Sequence, residues 1–286
     1  MNSPVYNQKG DKSGTIELPI HFDEEVRADL IKRAVVTIQV NKRQPYGAFE
    51  RAGKQQSTKL SRRRRQYKTA YGRGISRVPR KTVLRRGTQF IWVGARAPGT
   101  VGGARAHPPK GHRIWEQHIN KKERLKAIRS AIAATTDKQL VKHHGYHFAE
   151  TLPLIVNREV EGVKQTKELK QLLLKIGLKE DLTRASTHTI RPGRGKLRGR
   201  KTKSPVGPLV VVSNNCSLIK AVGNLQGFDV CCVDSLNAEL LAPGAVPGRL
   251  VIWTQPAIER LGKERLFLGK QEKSDTHKKK NKVAVL

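Results

Sequence analysis

Hydrophobic positions fall along the chain in two patterns, short continuous apolar runs and longer stretches where apolar residues recur every three or four positions. The runs "LPLIVN" (152–157), "PLVVVS" (208–213), "DVCCVD" (229–234) and "RLVIWT" (249–254) are too short for helices and rich in β-branched residues, so each reads as a buried strand. Helical spacing predicts a helix over 164–177 ended by Gly177, another around 215–226, a short one near 235–241 and one over 256–263. Upstream, residues 23–42 set Val26, Leu30, Ala34 and Ile38 at helical spacing behind a cluster of acids. Residues 120–142 predict one long helix, with Asn120 as its N-cap and Leu125, Ile128, Ile132 and Leu140 on its apolar face. Buried strands alternating with helices imply the α/β class: a three-layer α/β/α sandwich around a mostly parallel sheet of about four to five strands.

Both patterns fail between residues 41 and 113. This window holds ten glycines and five prolines and sustains no period. Within it, "RRGTQFIWVGARAPGTVGGARAHPPK" (85–110) sets the apolar cluster Phe90 to Val93 among Gly, Pro and Arg, with no acid at all. A structureless insert of this length is unusual in a compact domain unless it is functional or orders on a partner. The flanking helices fix its exit and return. A single globular domain interrupted by an extended arm at 43–115 is therefore expected, the arm ordering only on its partner. Out and back, such an arm reaches about 100 Å at full extension.

Charge identifies that partner. The formal net charge is +34, from 57 Lys and Arg against 23 Asp and Glu. Residues 41–113 carry 20 basic side chains and one acid, Glu50, while 188–203 carry seven basic and none acidic. These two windows hold 26 of the 34 net charges, and segregation of that degree marks a surface for a polyanion. RNA suits the arm best, because guanidinium groups pair with phosphates and stack on bases, and aromatic rings interleaved among them offer stacking platforms. The arm's candidate RNA-binding residues are Arg62, Arg63, Arg64, Arg65, Tyr67, Tyr71, Arg73, Arg77, Arg80, Lys81, Arg85, Arg86, Trp92, Arg96, Arg105, His107 and Lys110, with Tyr46, Phe49 and Phe90 as further rings. The second basic loop, "HTIRPGRGKLRGRKTKSP" (188–205), offers Arg191, Arg194, Lys196, Arg198, Arg200, Lys201 and Lys203 to RNA phosphates. It lacks the GxxxxGK[ST] spacing of a nucleotide-binding loop. The basic tail, 269–286, is expected to be disordered.

Little in the sequence points to catalysis. Cys216, Cys231 and Cys232 form no CxxC pair and read as reduced, inert thiols of a cytosolic protein. The N-terminus has no apolar segment of a secretory leader, and no run approaches the length of a membrane helix. Gly145 interrupts the helix that would align His143, His144 and His147, so a metal site is not expected. No cofactor, small-molecule substrate or catalytic residue is implied, and no nucleophile elbow or HExxH is present. The alternative to a structural RNA-binding protein is an RNA-processing enzyme with a basic substrate arm.

Several segments resemble one family in consistent order. "YGRGISRVPR", "GARAPGTVGGARAHPPK" and "NKKERLKAIRSAIAAT" are similar to the universal large-subunit ribosomal protein four. "VKQTKEL", "RPGRGKLRGRK", "LAPGAVPGRLVIWT" and "AIERL" resemble its archaeal and eukaryotic branch. The likeness runs from about residue 15 to 265. It implies an α/β domain on the outside of the large ribosomal subunit and an arm threaded into large-subunit rRNA. It also implies neighbouring large-subunit proteins as partners, a role in early subunit assembly, and an arm tip in the wall of the nascent-peptide exit tunnel. On that resemblance "RVPR" (77–80) is the inbound strand and "AHPPK" (106–110) the outbound one. The tunnel-proximal tip, near the nascent peptide, is then Arg85, Arg86, Gly87, Thr88, Gln89 and Phe90. The segment "KTVLRRGTQFIWV", the polybasic "SRRRR" and the tail "HKKKNK" depart from the family pattern.

Overall fold

The computed structural model of the chain describes residues 1–52, 58, 60–87, 89–148 and 151–269. Thr88, and the basic tail from residue 270 onward, lie outside the described residues. Among the described residues ten strands occur in chain order: β1 (Asn2–Tyr6), β2 (Lys12–Glu17), β3 (Arg80–Arg86), β4 (Gln89–Gly94), β5 (Leu154–Val156), β6 (Thr189–Ile190), β7 (Thr202–Lys203), β8 (Leu209–Val212), β9 (Asp229–Cys232) and β10 (Val251–Thr254). The α-helices are α1 (Ala28–Asn41), α2 (Lys121–Ala133), α3 (Lys138–His143), α4 (Thr166–Lys175), α5 (Lys179–Ser186), α6 (Leu218–Gly223), α7 (Ala238–Leu241) and α8 (Gln255–Lys263). Contacts divide the chain into two units, Met1–Asn41 with the chain from Gln117 onward, and Lys42–Glu116.

The first unit is mixed α/β, built on one six-stranded sheet in the order β2-β1-β5-β10-β8-β9. All its pairings are parallel except β1 with β2. The sheet thus has six strands rather than the four to five expected. The two extra strands are N-terminal: Asn2–Tyr6 carries Pro4, Lys12–Glu17 carries Gly14, and neither contains an apolar run. Strand β2 is a polar sheet edge, and such edges leave no buried pattern to read.

The central strands β5, β8 and β10 are buried at every position. Successive side chains point to opposite faces, and the burial follows that rule. Ile155, Leu209, Val211, Val251 and Trp253 join one apolar cluster with Ile31 and Val35 of α1, Ile132 of α2 and Leu261 of α8. Leu154, Val156, Val210, Val212 and Ile252 join a second, with Leu169 and Leu173 of α4, Leu218 and Val222 of α6 and Ala185 of α5. A one-residue slip would exchange the two sets, and each buried aliphatic side chain is worth about 1.5–3 kcal/mol, so packing fixes the register. Trp253, fully buried, meets the edge of Phe22 with ring centroids 5.4 Å apart.

Three helix boundaries differ from expectation for identifiable reasons. The first helix begins at Ala28, not near 23, because residues 24–27 are held by α2 instead. Ser130 Oγ donates to Glu25 O at 2.9 Å and accepts from Arg27 N at 2.6 Å, and Arg129 Nε donates to Glu24 at 3.1 Å. Val26 is consequently exposed, and Ile31, Ala34 and Val35 form the buried stripe. The single helix expected over 120–142 is two. The hydroxyls of Thr135 and Thr136 bond back to Ile132 O and Ala133 O at 2.7 and 2.8 Å, and Asp137 caps a new helix through Gln139 N at 2.8 Å. Asn120 sits at the N-cap position of α2 but makes no side-chain cap bond. Helix α5 was not anticipated, while the stop after α4 was: Gly177 has φ +91°, the left-handed conformation glycine accepts. No described helix is long and apolar enough to cross a membrane.

Candidate nucleic-acid interface

Within the unit Lys42–Glu116, the two ends of the insert are tied by stacked rings and guanidinium groups. Tyr46 stacks on Trp115 with centroids 5.9 Å apart and planes 18° from parallel. The guanidinium of Arg43 lies 4.1 Å from the Trp115 ring and 5.0 Å from that of Tyr46, and Arg113 lies 4.4 Å from Trp115. Each such cation–π contact is worth about 0.5–1 kcal/mol at an exposed site. Beside them Ala48 N donates to Pro109 O at 2.9 Å. Gly47 is required there, since a Cβ would stand 2.4 Å from Gly111 N. Trp115 went unread in the sequence because it lies just past the basic window; its signal was the pair of arginines at 113 and 43.

The window expected to be structureless contains a hairpin whose register shifts once, between Thr82 and Leu84. Strands β3 and β4 pair antiparallel from Arg80↔Gly94 to Arg86↔Gln89, and Gly87 at the turn has φ +52°. Alternation along β4 sorts the apolar cluster: Phe90 and Trp92 are half-buried, whereas Ile91 and Val93 are exposed. Phe90 meets Tyr67 edge-on at 4.9 Å, and Arg85 lies over both rings at 5.4 and 5.9 Å. Arg80 lies 5.6 Å from Trp92, and Arg77 4.4 Å from Tyr71. Of the expected stacking residues, Tyr46, Tyr67, Tyr71, Phe90 and Trp92 are therefore each set beside a guanidinium, while Phe49 is exposed.

Several further cations of this unit are exposed to solvent. Arg62, Arg63, Arg64 and Arg65 are exposed on a loop closed by Ser61, whose hydroxyl donates to Gln66 Oε1 at 2.8 Å and whose N–H reaches Lys68 O at 3.3 Å. Arg73, Lys81, Arg86, Arg96, Arg105, His107 and Lys110 are also exposed, as are Gly87 and Gln89. Between Ala95 and Gly103 the backbone forms a compact knot. Thr100 Oγ1 accepts from Ala97 N at 3.0 Å and faces Ala95 O and Ala97 O at 3.0 and 2.7 Å.

The second basic loop is also more regular than expected. Strands β6 and β7 pair through Thr189↔Lys203 and Ile190↔Thr202, Arg191 N donates to Lys201 O at 2.8 Å, and a 3-10 turn spans Gly193–Arg198. Arg194, Lys196, Arg198, Arg200, Lys201 and Lys203 are exposed on it, and Arg191 is half-buried. Backbone pairing thus closes the loop's stem and leaves its cations outward.

The crevice at the carboxyl ends of the strands, where open α/β sheets often bind ligands, is filled by the chain itself. Glu161 accepts from Ser213 N and Oγ, each at 2.9 Å, and from Thr254 Oγ1 at 2.7 Å. Arg260 donates to Asn214, Glu264 and Asp234, and to the carbonyl of Ser213. Its guanidinium holds the Glu264 carboxyl below the usual range. The three histidines do not converge: His144 bonds Val246 O at 2.9 Å and His147 faces Glu180 at 3.4 Å. Among the described residues no group of three or more metal-ligating side chains occurs.

Comparison with known proteins agrees with this picture. The profile of the Ribosomal protein L4/L1 family matches residues 16–264. The chain is 49% identical over 268 residues to large ribosomal subunit protein uL4 of Nanoarchaeum equitans, covering 93% of this chain and 100% of that one. It is 44% identical over 261 residues to the protein of the same name from Methanosphaera stadtmanae, covering 90% and 95% of the two chains. For the one from Archaeoglobus fulgidus the identity is 43% over 263 residues, covering 92% and 98%. With a family match over most of its length and relatives this similar from end to end, the chain belongs to the ribosomal protein L4/L1 family.

Proposed function

We propose that the chain is a structural, non-catalytic constituent of the large ribosomal subunit, held in the cytoplasmic ribosome by large-subunit rRNA and neighbouring ribosomal proteins. The observation that carries this reading is the concentration of 26 of 34 net charges in two windows, in the first of which guanidinium groups lie over aromatic rings. Relatives named as large-subunit proteins support it. They give no support to the RNA-processing alternative.

On this reading the α/β unit is a three-layer sandwich, and 43–115 is an arm that takes its working conformation on RNA and supports early assembly. Its rRNA contacts are Arg62, Arg63, Arg64, Arg65, Tyr67, Tyr71, Arg73, Arg77, Arg80, Lys81, Arg85, Arg86, Trp92, Arg96, Arg105, His107 and Lys110. The basic loop adds Arg191, Arg194, Lys196, Arg198, Arg200, Lys201 and Lys203. The segment from Arg85 to Phe90 faces the nascent peptide in the exit tunnel. Paired β3 and β4 are suited to carrying such a tip, because a hairpin holds its turn away from its base.

Deletion of 45–112 tests the reading. The remaining α/β unit should fold and fail to enter subunit precursors. Normal incorporation of the truncated chain, with rRNA packing unchanged, would remove the arm from the account.

A further inference from the structure

Helices α4 and α5 present a basic cleft that belongs to neither charge-rich window. It has a volume of about 630 Å³ and runs between the two helices and the turn Asn224 to Gln226. Lys167, Lys170 and Leu174 fall at i, i+3 and i+7 on α4, away from its buried stripe of Leu169, Leu172 and Leu173. Lys179, Thr183 and Ser186 face them from α5. No acid lines the cleft, although three acids lie on these helices. Glu168 opens onto a separate groove beside Gln8 and Lys9, Glu180 faces His147, and Asp181 is buried against Arg184 at 2.8 Å. Lys167, Lys170 and Lys179 make no ion pair among the described residues.

The cleft also adjoins the second basic loop. The turn Asn224 to Gln226 that forms one wall is shared with a further hollow, whose other wall is Ser204, Pro205 and Val206 at the loop's return. Three ammonium groups and hydroxyl side chains around an open cleft suit the phosphates of an RNA backbone, and the adjoining basic loop favours RNA over an acidic protein segment.

We propose that the α4–α5 cleft is an rRNA phosphate-binding site, extending the path of one RNA strand from the basic loop across the Asn224 to Gln226 turn; the assignment rests on the rRNA-binding reading above. Binding of the full-length chain to its cognate large-subunit rRNA transcript is measured between 50 and 200 mM salt. Lys167→Gln/Lys170→Gln/Lys179→Gln should flatten the slope of log affinity against log salt by about 2–3, the loss of three phosphate contacts. Lys32→Gln/Lys122→Gln/Lys138→Gln, a charge-matched control, should change it by less than one, with circular dichroism and unfolding midpoints unaltered in both. Equal slopes for cleft and control variants would overturn the proposal, as would a cleft variant with the wild-type slope. A third variant, Arg194→Gln/Arg198→Gln/Arg200→Gln, separates the levels. If it loses slope while the cleft variant does not, the cleft alone is wrong; if the wild-type chain itself shows no salt-dependent binding to the transcript, the rRNA reading fails. Amine labelling of intact subunits gives a second measure: protection of Lys167, Lys170 and Lys179 should vanish on ribonuclease treatment. Protection that survives would assign the cleft to a protein partner instead.

Discussion

Arg249 is only 1% exposed, yet its guanidinium directs both Nε and Nη2 onto the carbonyl of Gly207, at 3.0 and 2.8 Å. Its Nη1 donates to Leu240 O at 2.9 Å, and Nη2 also pairs with Asp229. Gly207 is itself pressed against the turn that precedes β9, where a Cβ would meet Gly227 O at 2.6 Å. Arg184 holds the neighbouring Val206 O at 3.2 Å. One buried cation beside β10 therefore fixes the chain just where the second basic loop rejoins the sheet, so the loop projects from a rigid base.

Replacing Arg249 should be costly. Arg249→Met removes the guanidinium donors from the Gly207 and Leu240 carbonyls and unpairs Asp229, which is itself half exposed, so the expected loss is about 1–3 kcal/mol. Arg249→Lys keeps the charge but cannot serve three acceptors at once, so it should fall between the two. Urea unfolding midpoints measure the series, and a wild-type midpoint for Arg249→Met would refute the role given to this side chain.

Two glycines on facing segments of the insert should behave oppositely. A Cβ on Gly47 would stand 2.4 Å from Gly111 N, whereas one on Gly111 meets nothing within 4 Å. Gly47→Ala should part the two ends, break the bond from Ala48 N to Pro109 O and speed exchange at the Ala48 amide at least tenfold. Gly111→Ala should leave that amide's exchange nearly unchanged. Equal exchange in the two variants would argue against the close approach.

The buried strands were legible because "LPLIVN", "PLVVVS" and "RLVIWT" are packed on both faces, and burial of that kind leaves a continuous apolar signature. What escaped was decided by tertiary partners or by small local devices. The N-terminal strands gain their place by pairing with one another and with β5, and their own composition is that of a loop. Thr135 and Thr136 break a helix whose hydrophobic period runs on unbroken. In the candidate interface, charge and aromatic content located the two windows, but not the pairing of Arg85 with Phe90 and Tyr67 or the role of Trp115. Those depend on a hairpin register that Gly-rich sequence does not display. The lysines of α4 and α5 were unreadable for another reason, since nearby acids cancel them in any linear count and are turned aside only in the fold.

Thiol chemistry should separate the adjacent cysteines' neighbourhood from solvent. Burial pushes the Cys231 thiol up to about 12, and desolvation raises Cys216 as well. Only the thiolate reacts readily, so Cys231 should resist iodoacetamide at pH 8 in the folded chain and become modified in urea. Mass spectrometry of the alkylated peptides reads the difference, and rapid native labelling of Cys231 would contradict its burial.

His21 should make stability depend on pH in one direction only. It is 1% exposed, its Nε2 lies 2.6 Å from Leu266 O, and its Nδ1 has no partner among the described residues. Burial lowers its pKa below the ordinary 6.5; the Leu266 carbonyl raises it, the nearby Arg129 lowers it further, and Glu24 opposes Arg129. The unfolded chain then binds a proton at this site more readily than the folded one, so stability rises with pH through the window. The contribution is complete above about pH 6.5, the unfolded value, and is lost as pH falls from there through the lowered folded value. Asp29, whose carboxyl Arg27 holds at about 2, titrates well below this window. Urea midpoints should therefore be level from pH 8 to 7 and decline toward pH 5.5. His21→Gln should lower the midpoint at pH 7.5 and flatten the decline; an unchanged slope in that variant would assign the pH dependence to another group.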